Sequence, residues 1–114
     1  MNHHMGLYEE PMEAIKSGNK KIEVRLNDEK RRKISVGDTI TFTKVPEETE
    51  QIKVEVTAMV SYSSFHEMYS NFPASDLGAE GKTIEEMVKS TYHIYTPEQE
   101  KKWGTLAIQV KLIQ

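Results

Sequence analysis

Gly18-Asn19-Lys20-Lys21-Ile22-Glu23-Val24-Arg25 is the stretch on which the fold turns. Successive side chains of a strand point to opposite faces. Ile22, Val24 and Leu26 therefore share one face, and Lys21, Glu23 and Arg25 share the other. Glu23 and Arg25 lie about 6.6 Å apart along that face, at about 3.3 Å per residue. Two readings fit. One is a solvated strand face with a cross-strand ion pair, contributing about 0.2–1 kcal/mol. The other is the lining of a polar cleft, with a glycine turn beside it and Lys20 at its mouth. Lys20 is off-phase with Glu23 and Arg25 on an ideal strand, so bringing all three together requires a bend or bulge near 19–21.

Before this stretch, residues 9–18 read as a short helix. Glu9 and Glu10 sit at its start, Pro11 lies near the first turn and Gly18 falls just past its end. After the strand at 20–26, a polar loop leads to the turn Val36-Gly37-Asp38 and a second strand near 39–44. Ile52, Val54, Val56, Ala58 and Val60 alternate with Lys53, Glu55, Thr57 and Met59, the clearest strand pattern in the chain. Ser63 or Ser64 caps a short helix carrying Phe65, Met68 and Tyr69. Residues 70–82, with Pro73, Gly78 and Gly81, read as a long loop. Thr83-Ile84-Glu85-Glu86 is a capping box that opens a helix with Met87 and Val88 on its apolar side. Thr96-Pro97-Glu98-Gln99 opens another, ended by Gly104. Thr105 to Ile113 reads as the last strand, with Leu106, Ile108, Val110 and Leu112 on one face. The order helix, strands, helices, strand predicts an antiparallel or mixed curled sheet rather than βαβ units.

A chain of 114 residues, 37% apolar, fits one compact unit with a single small core. Cysteine is absent, which excludes disulfides and thiolate chemistry. No apolar run approaches a membrane span and no secretory apolar segment follows the start, so no membrane association is expected and a cytoplasmic location is the simplest reading. The net charge of −3 does not advertise a nucleic-acid binder. Its distribution does more. Residues 20–33 carry seven basic residues against three acidic ones, a local excess of +4 that leaves −7 elsewhere. Such a patch attracts phosphate without making the whole surface adhesive. The bland alternative is a charged, solvated loop.

His3, His4, His66 and His93 show no metal-ligand spacing, and no metal or cofactor is expected. There is no nucleophile elbow, P-loop or dinucleotide fingerprint. What remains is charge and aromatics. Tyr62, Tyr69, Tyr92, Tyr95 and Trp103 are candidate stacking surfaces. Base–aromatic stacking contributes about 1–3 kcal/mol per base. Core packing is the competing role, and Tyr95 and Trp103 are the ones singled out as ligand contacts.

Gly18, Lys20, Glu23 and Arg25 together resemble the Gly-x-Lys-x-x-Glu-x-Arg motif of the ASCH domain family, whose fold is like that of PUA RNA-binding domains. The likeness continues through Leu26–Arg32 and Val36–Phe42, and resumes at Tyr95 and Trp103–Ile108. It implies an α+β architecture: a PUA-like small β-barrel, mostly antiparallel, flanked by short helices, with residues 1–114 forming one ASCH domain. It also implies that Lys20, Glu23 and Arg25 form the functional cluster and that the first helix packs near the charged strand. One branch of the family comprises small amidohydrolases acting on acetylated cytidine, which use a lysine and a threonine of this motif with a loop glutamate. Lys20 and Glu80 match the lysine and the loop acid, but position 23 is glutamate where those enzymes have threonine.

The expectation that follows is a module binding RNA or a modified nucleotide through a charged cleft, with a regulatory role. Lys20, Glu23, Arg25, Arg31, Arg32, Tyr95 and Trp103 are its expected ligand contacts. The alternative is a small amidohydrolase in which Lys20, Glu23 and Glu80 do the acid–base work. A third reading is a regulator that binds a protein partner and keeps only a vestigial cleft.

Overall fold

A computed structural model describes residues 1–113. In chain order its elements are β1 (Asn2–Leu7), α1 (Glu9–Lys16), β2 (Ile22–Leu26), β3 (Thr39–Lys44), β4 (Gln51–Tyr62), α2 (Phe65–Tyr69), α3 (Ile84–Thr91), α4 (Pro97–Trp103) and β5 (Thr105–Leu112). Short 3-10 turns occupy Arg31–Lys33 and Ala74–Asp76. The strands form one curled, half-barrel sheet in the order β1-β3-β4-β5-β2. Among the described residues only β1 and β3 pair in parallel; the other neighbours are antiparallel. Among the described residues no helix is long and apolar enough to cross a membrane.

β1 is the element that sequence reasoning did not place. Asn-His-His-Met-Gly-Leu lacks the β-branched residues that mark strands. Its state comes from tertiary pairing, in register from Asn2 opposite Thr39 to Leu7 opposite Lys44, with Met5 and Leu7 buried. His3 Nε2 lies 2.9 Å from Asp38 Oδ2 and fastens the start of the strand. That bond, helped by the Ser35 N–H, brings the Asp38 carboxyl down to about 2.

The sheet is covered on both faces. Met5, Met12, Ile15, Ile40, Phe42, Val54, Val56 and Ile108 form one apolar cluster, which α1 closes. Ile22, Leu26, Phe65, Met68, Tyr69, Met87 and Ala107 form the other, beneath α2 and α3. The interior strand β5, between β4 and β2, is therefore buried on both sides at Leu106, Ala107 and Ile108. Along β4 the alternation holds through Val56 and then slips. A bulge between Val56 and Ala58 inverts the phase, so that Met59 packs on the core while Val60 is exposed.

The expected capping box is present at Thr83/Glu86, and the helix start expected at Thr96 carries a second one, Thr96/Gln99. Thr96 Oγ1 accepts from the Gln99 N–H at 3.1 Å, and the Gln99 side chain accepts from the Thr96 N–H at 2.9 Å. Thr96→Ala is expected to lower stability by about 1 kcal/mol, read as a reduced urea midpoint at unchanged m.

Candidate functional site

The site begins with a turn. α1 ends at Lys16 with Ser17 as its C-cap, and Gly18 takes φ +83°, a left-handed conformation that glycine adopts without strain. The Lys20 N–H then donates to the Ala14 carbonyl and the Lys21 N–H to the Asp76 carbonyl. Lys20 forms an isolated bridge with Leu77 before β2 starts at Ile22. This is the bend that convergence requires. It swings the Lys20 side chain back to Glu23, with Nζ 3.0 Å from Oε1. Gly78 makes room for it. A Cβ there would sit 3.2 Å from Lys20 Cδ, on a backbone already at φ +72°.

The charged face of β2 is buried, not solvated. Glu23 is only 4% exposed. The Arg25 Nε donates to Glu23 Oε2 at 2.7 Å, and Arg25 Nη2 donates to the Gly6 carbonyl at 2.8 Å. β1 and β2 are the two edges of the sheet, so this guanidinium spans the seam that no backbone ladder closes. Its carbon lies 5.9 Å from the centroid of the Phe42 ring. Burial alone would push the Glu23 carboxyl up, but Lys20 and Arg25 outweigh it and hold it below the usual carboxylate range. Burial likewise works against the Arg25 charge, and Glu23 restores it.

The three charges line a cleft of about 430 Å³. Its walls are apolar and aromatic, with Leu77, Met87, Tyr69 and Tyr95 among them, and Tyr8 and Ile94 are exposed at its lip. Tyr69 is fixed by a 2.6 Å hydrogen bond to Thr91 Oγ1. Burial pushes the Tyr95 hydroxyl up, against Arg25 and Arg31, so it is neutral at physiological pH. The charged residues of the lining are Lys20, Arg25, Lys82 and Glu23, a net of +2 in a protein of net −3.

The other residues named from sequence lie elsewhere. Glu80 is exposed and does not line the cleft; its loop contributes Ala79 and Lys82 instead. Arg31 turns back to Asp28 Oδ2 at 2.8 Å, while Arg32 Nε donates to the Asn27 carbonyl. Trp103 is half-buried outside the cleft, with Arg32 at 5.6 Å and Lys102 at 4.9 Å from its ring centroid. The Gly6–Tyr8 edge, Lys82 and Ile94 were missed because no local pattern marks them. Pairing with β3 brings the first to the cleft, and the packing of the segments flanking α3 brings the other two. Among the described residues no group of three or more His, Asp or Glu is arranged to hold a metal ion.

No curated protein matches the chain. Solved structures do. The crystal structure of hypothetical protein PH0355 is 44% identical, covers 99% of this chain and 100% of its own, and superposes with a TM-score of 0.89. The solution NMR structure of protein PF0455 from Pyrococcus furiosus is 41% identical over 100% of this chain and 99% of its own, with a TM-score of 0.80. The ASCH protein of Zymomonas mobilis is 17% identical, covers 99% of this chain and 71% of its own at a TM-score of 0.64, and speaks for the fold alone. A family model for the ASCH domain matches residues 5–114, and with the PUA-like half-barrel and its flanking helices this establishes that the chain belongs to the ASCH domain family.

Proposed function

We propose that the cleft binds a nucleotide, either free and modified or as one residue of RNA. The observation that carries this reading is the buried Lys20–Glu23–Arg25 cluster at the wall of an apolar cleft with net charge +2. The volume of about 430 Å³ falls within the ordinary range for small-molecule sites. Tyr69, Tyr95 and Leu77 offer surface to a base. Lys20, Arg25 and Lys82 offer donors to a phosphate or to base carbonyls. An ionised carboxylate has about four lone-pair sites, so Glu23 can accept from a base amino group while both cations remain bonded to it.

The hydrolase alternative gains nothing from the geometry. A carboxylate held low by two cations is a good hydrogen-bond acceptor and a poor general base near neutral pH. The loop acid that such chemistry would borrow, Glu80, stands off the cleft. We expect purified protein to release no acetate from acetylated cytidine, and to bind cytidine monophosphate in calorimetric titration. Lys20→Ala removes one charged hydrogen bond, of about 1.5–3 kcal/mol, and should weaken binding about 10- to 150-fold. Unchanged affinity in that variant would overturn the reading. Robust turnover lost in Lys20→Ala and Glu80→Gln would favour the enzyme.

A further inference from the structure

We infer that a second surface, built on the Arg31–Lys33 turn and the end of α4, takes the sugar–phosphate backbone of a single strand whose neighbouring nucleotide occupies the cleft. The inference rests on the nucleotide reading of the cleft and adds that the ligand is a strand, not a mononucleotide. Lys30, Lys33 and Lys102 line an open depression with Asp28, Glu29 and Trp103, and Arg32 lies over the same tryptophan. Asp28 is committed to Arg31. Lys30, Arg32, Lys33 and Lys102 have no ion-pair partner among the described residues. Of the two acids lining the depression Asp28 is paired with Arg31, which leaves Glu29 against three lining lysines, with Arg32 beside them on Trp103, and phosphate is the anion that would satisfy them.

This surface is preorganised. The Asn27 N–H donates to the Gly104 carbonyl at 3.0 Å and ties the turn to the end of α4. The Trp103 ring holds Arg32 and Lys102 over its π-surface. Trp103 is accordingly a positioning residue for two cations and not a stacking platform. The surface also adjoins the cleft. Arg25 and Asp28 are separated by about 10 Å of extended chain, at about 3.3 Å per residue. Tyr95, on the cleft wall, lies within electrostatic reach of Arg25 and Glu23 as well as of Arg31 and Asp28. A nucleotide in the cleft must be unstacked from its neighbours, which a single strand permits at least cost.

The test compares cytidine monophosphate with a single-stranded cytidine hexamer, as RNA and as DNA, across a salt series with the full chain. The RNA hexamer is expected to bind at least about tenfold tighter, with a log–log salt slope that steepens by about 0.7 for each phosphate neutralised. Arg32→Gln should weaken the hexamer about threefold or more, by a larger factor than the mononucleotide, and flatten the slope by about 0.7. Trp103→Ala should follow it, and Trp103→Phe should restore the wild-type slope. Equal binding of the DNA hexamer supports a backbone contact indifferent to the sugar. A hexamer that binds no tighter than the mononucleotide, or a slope unmoved by Arg32→Gln, overturns the inference and leaves the cleft reading standing. A hexamer that binds through Arg32 while the mononucleotide does not bind sinks the cleft reading, and with it the claim that the strand's neighbouring nucleotide occupies the cleft, leaving only a backbone contact at the second surface. Failure of both probes overturns both.

Discussion

Glu23→Ala should lower folding stability by about 3–5 kcal/mol, the cost of leaving buried cations without their counter-charge. Lys20 and Arg25 would keep their places with 13% and 11% of their side chains exposed and nothing to neutralise them. Urea denaturation reads the loss directly. A triple variant, Lys20→Met with Glu23→Leu and Arg25→Met, should recover part of it, because replacing a whole buried ion cluster by apolar groups is often neutral or better, while the Gly6 carbonyl still loses its Arg25 donor. A loss below about 1 kcal/mol in Glu23→Ala would mean that the cluster behaves as a surface pair. The cluster also sets an acid limit. Because the Glu23 carboxyl is held low in the folded state, its contribution is fully present above the unfolded-chain value near 4.5 and is lost as pH falls through the folded value. In Glu23→Gln that part of the acid-side slope should disappear.

Phe65→Ala is the second large effect, also about 3–5 kcal/mol. Phe65 is fully buried, with ring centroids 6.3 Å from Tyr69 and 5.9 Å from Tyr95, both stacked. Its N–H donates to Glu100 Oε2 at 2.7 Å, and Glu100 Oε1 accepts from the Tyr92 hydroxyl, so α2 and α4 are joined at this point. Truncation would open a void behind two walls of the cleft. Nucleotide affinity should therefore fall along with the urea midpoint, whereas Phe65→Leu should retain more of both. A stability loss without any loss of affinity would show that Tyr69 and Tyr95 hold their places unaided.

Much of this was legible in the chain, and the failures have physical causes. Alternation in β2, β4 and β5 reports a pleated strand, and the capping boxes report hydrogen bonds that are local in sequence. The Gly18 turn and the off-phase Lys20 together foretold the bend, because no straight strand brings Lys20 to Glu23. What local pattern cannot carry is the partner. β1 is a strand because β3 lies beside it, and Val60 is exposed because one extra residue in β4 changes which face is which. The spacing of Glu23 and Arg25 suits a wet surface and a dry cleft equally. Only the curl of the sheet, which brings Gly6 to Arg25, separates the two. Arg31 and Arg32 look interchangeable in sequence. The fold gives one to Asp28 and the other to Trp103.

The bond from Arg25 to the Gly6 carbonyl has a consequence for how this scaffold can diversify. Position 25 serves closure and recognition at once, so a substitution there puts the architecture at risk along with the chemistry. Positions that line the cleft without bridging the edges, such as Lys82, Met87 and Ile94, carry no such double duty. New ligand preferences should therefore be acquired through the helical wall and the long loop, while the guanidinium at the seam stays as it is.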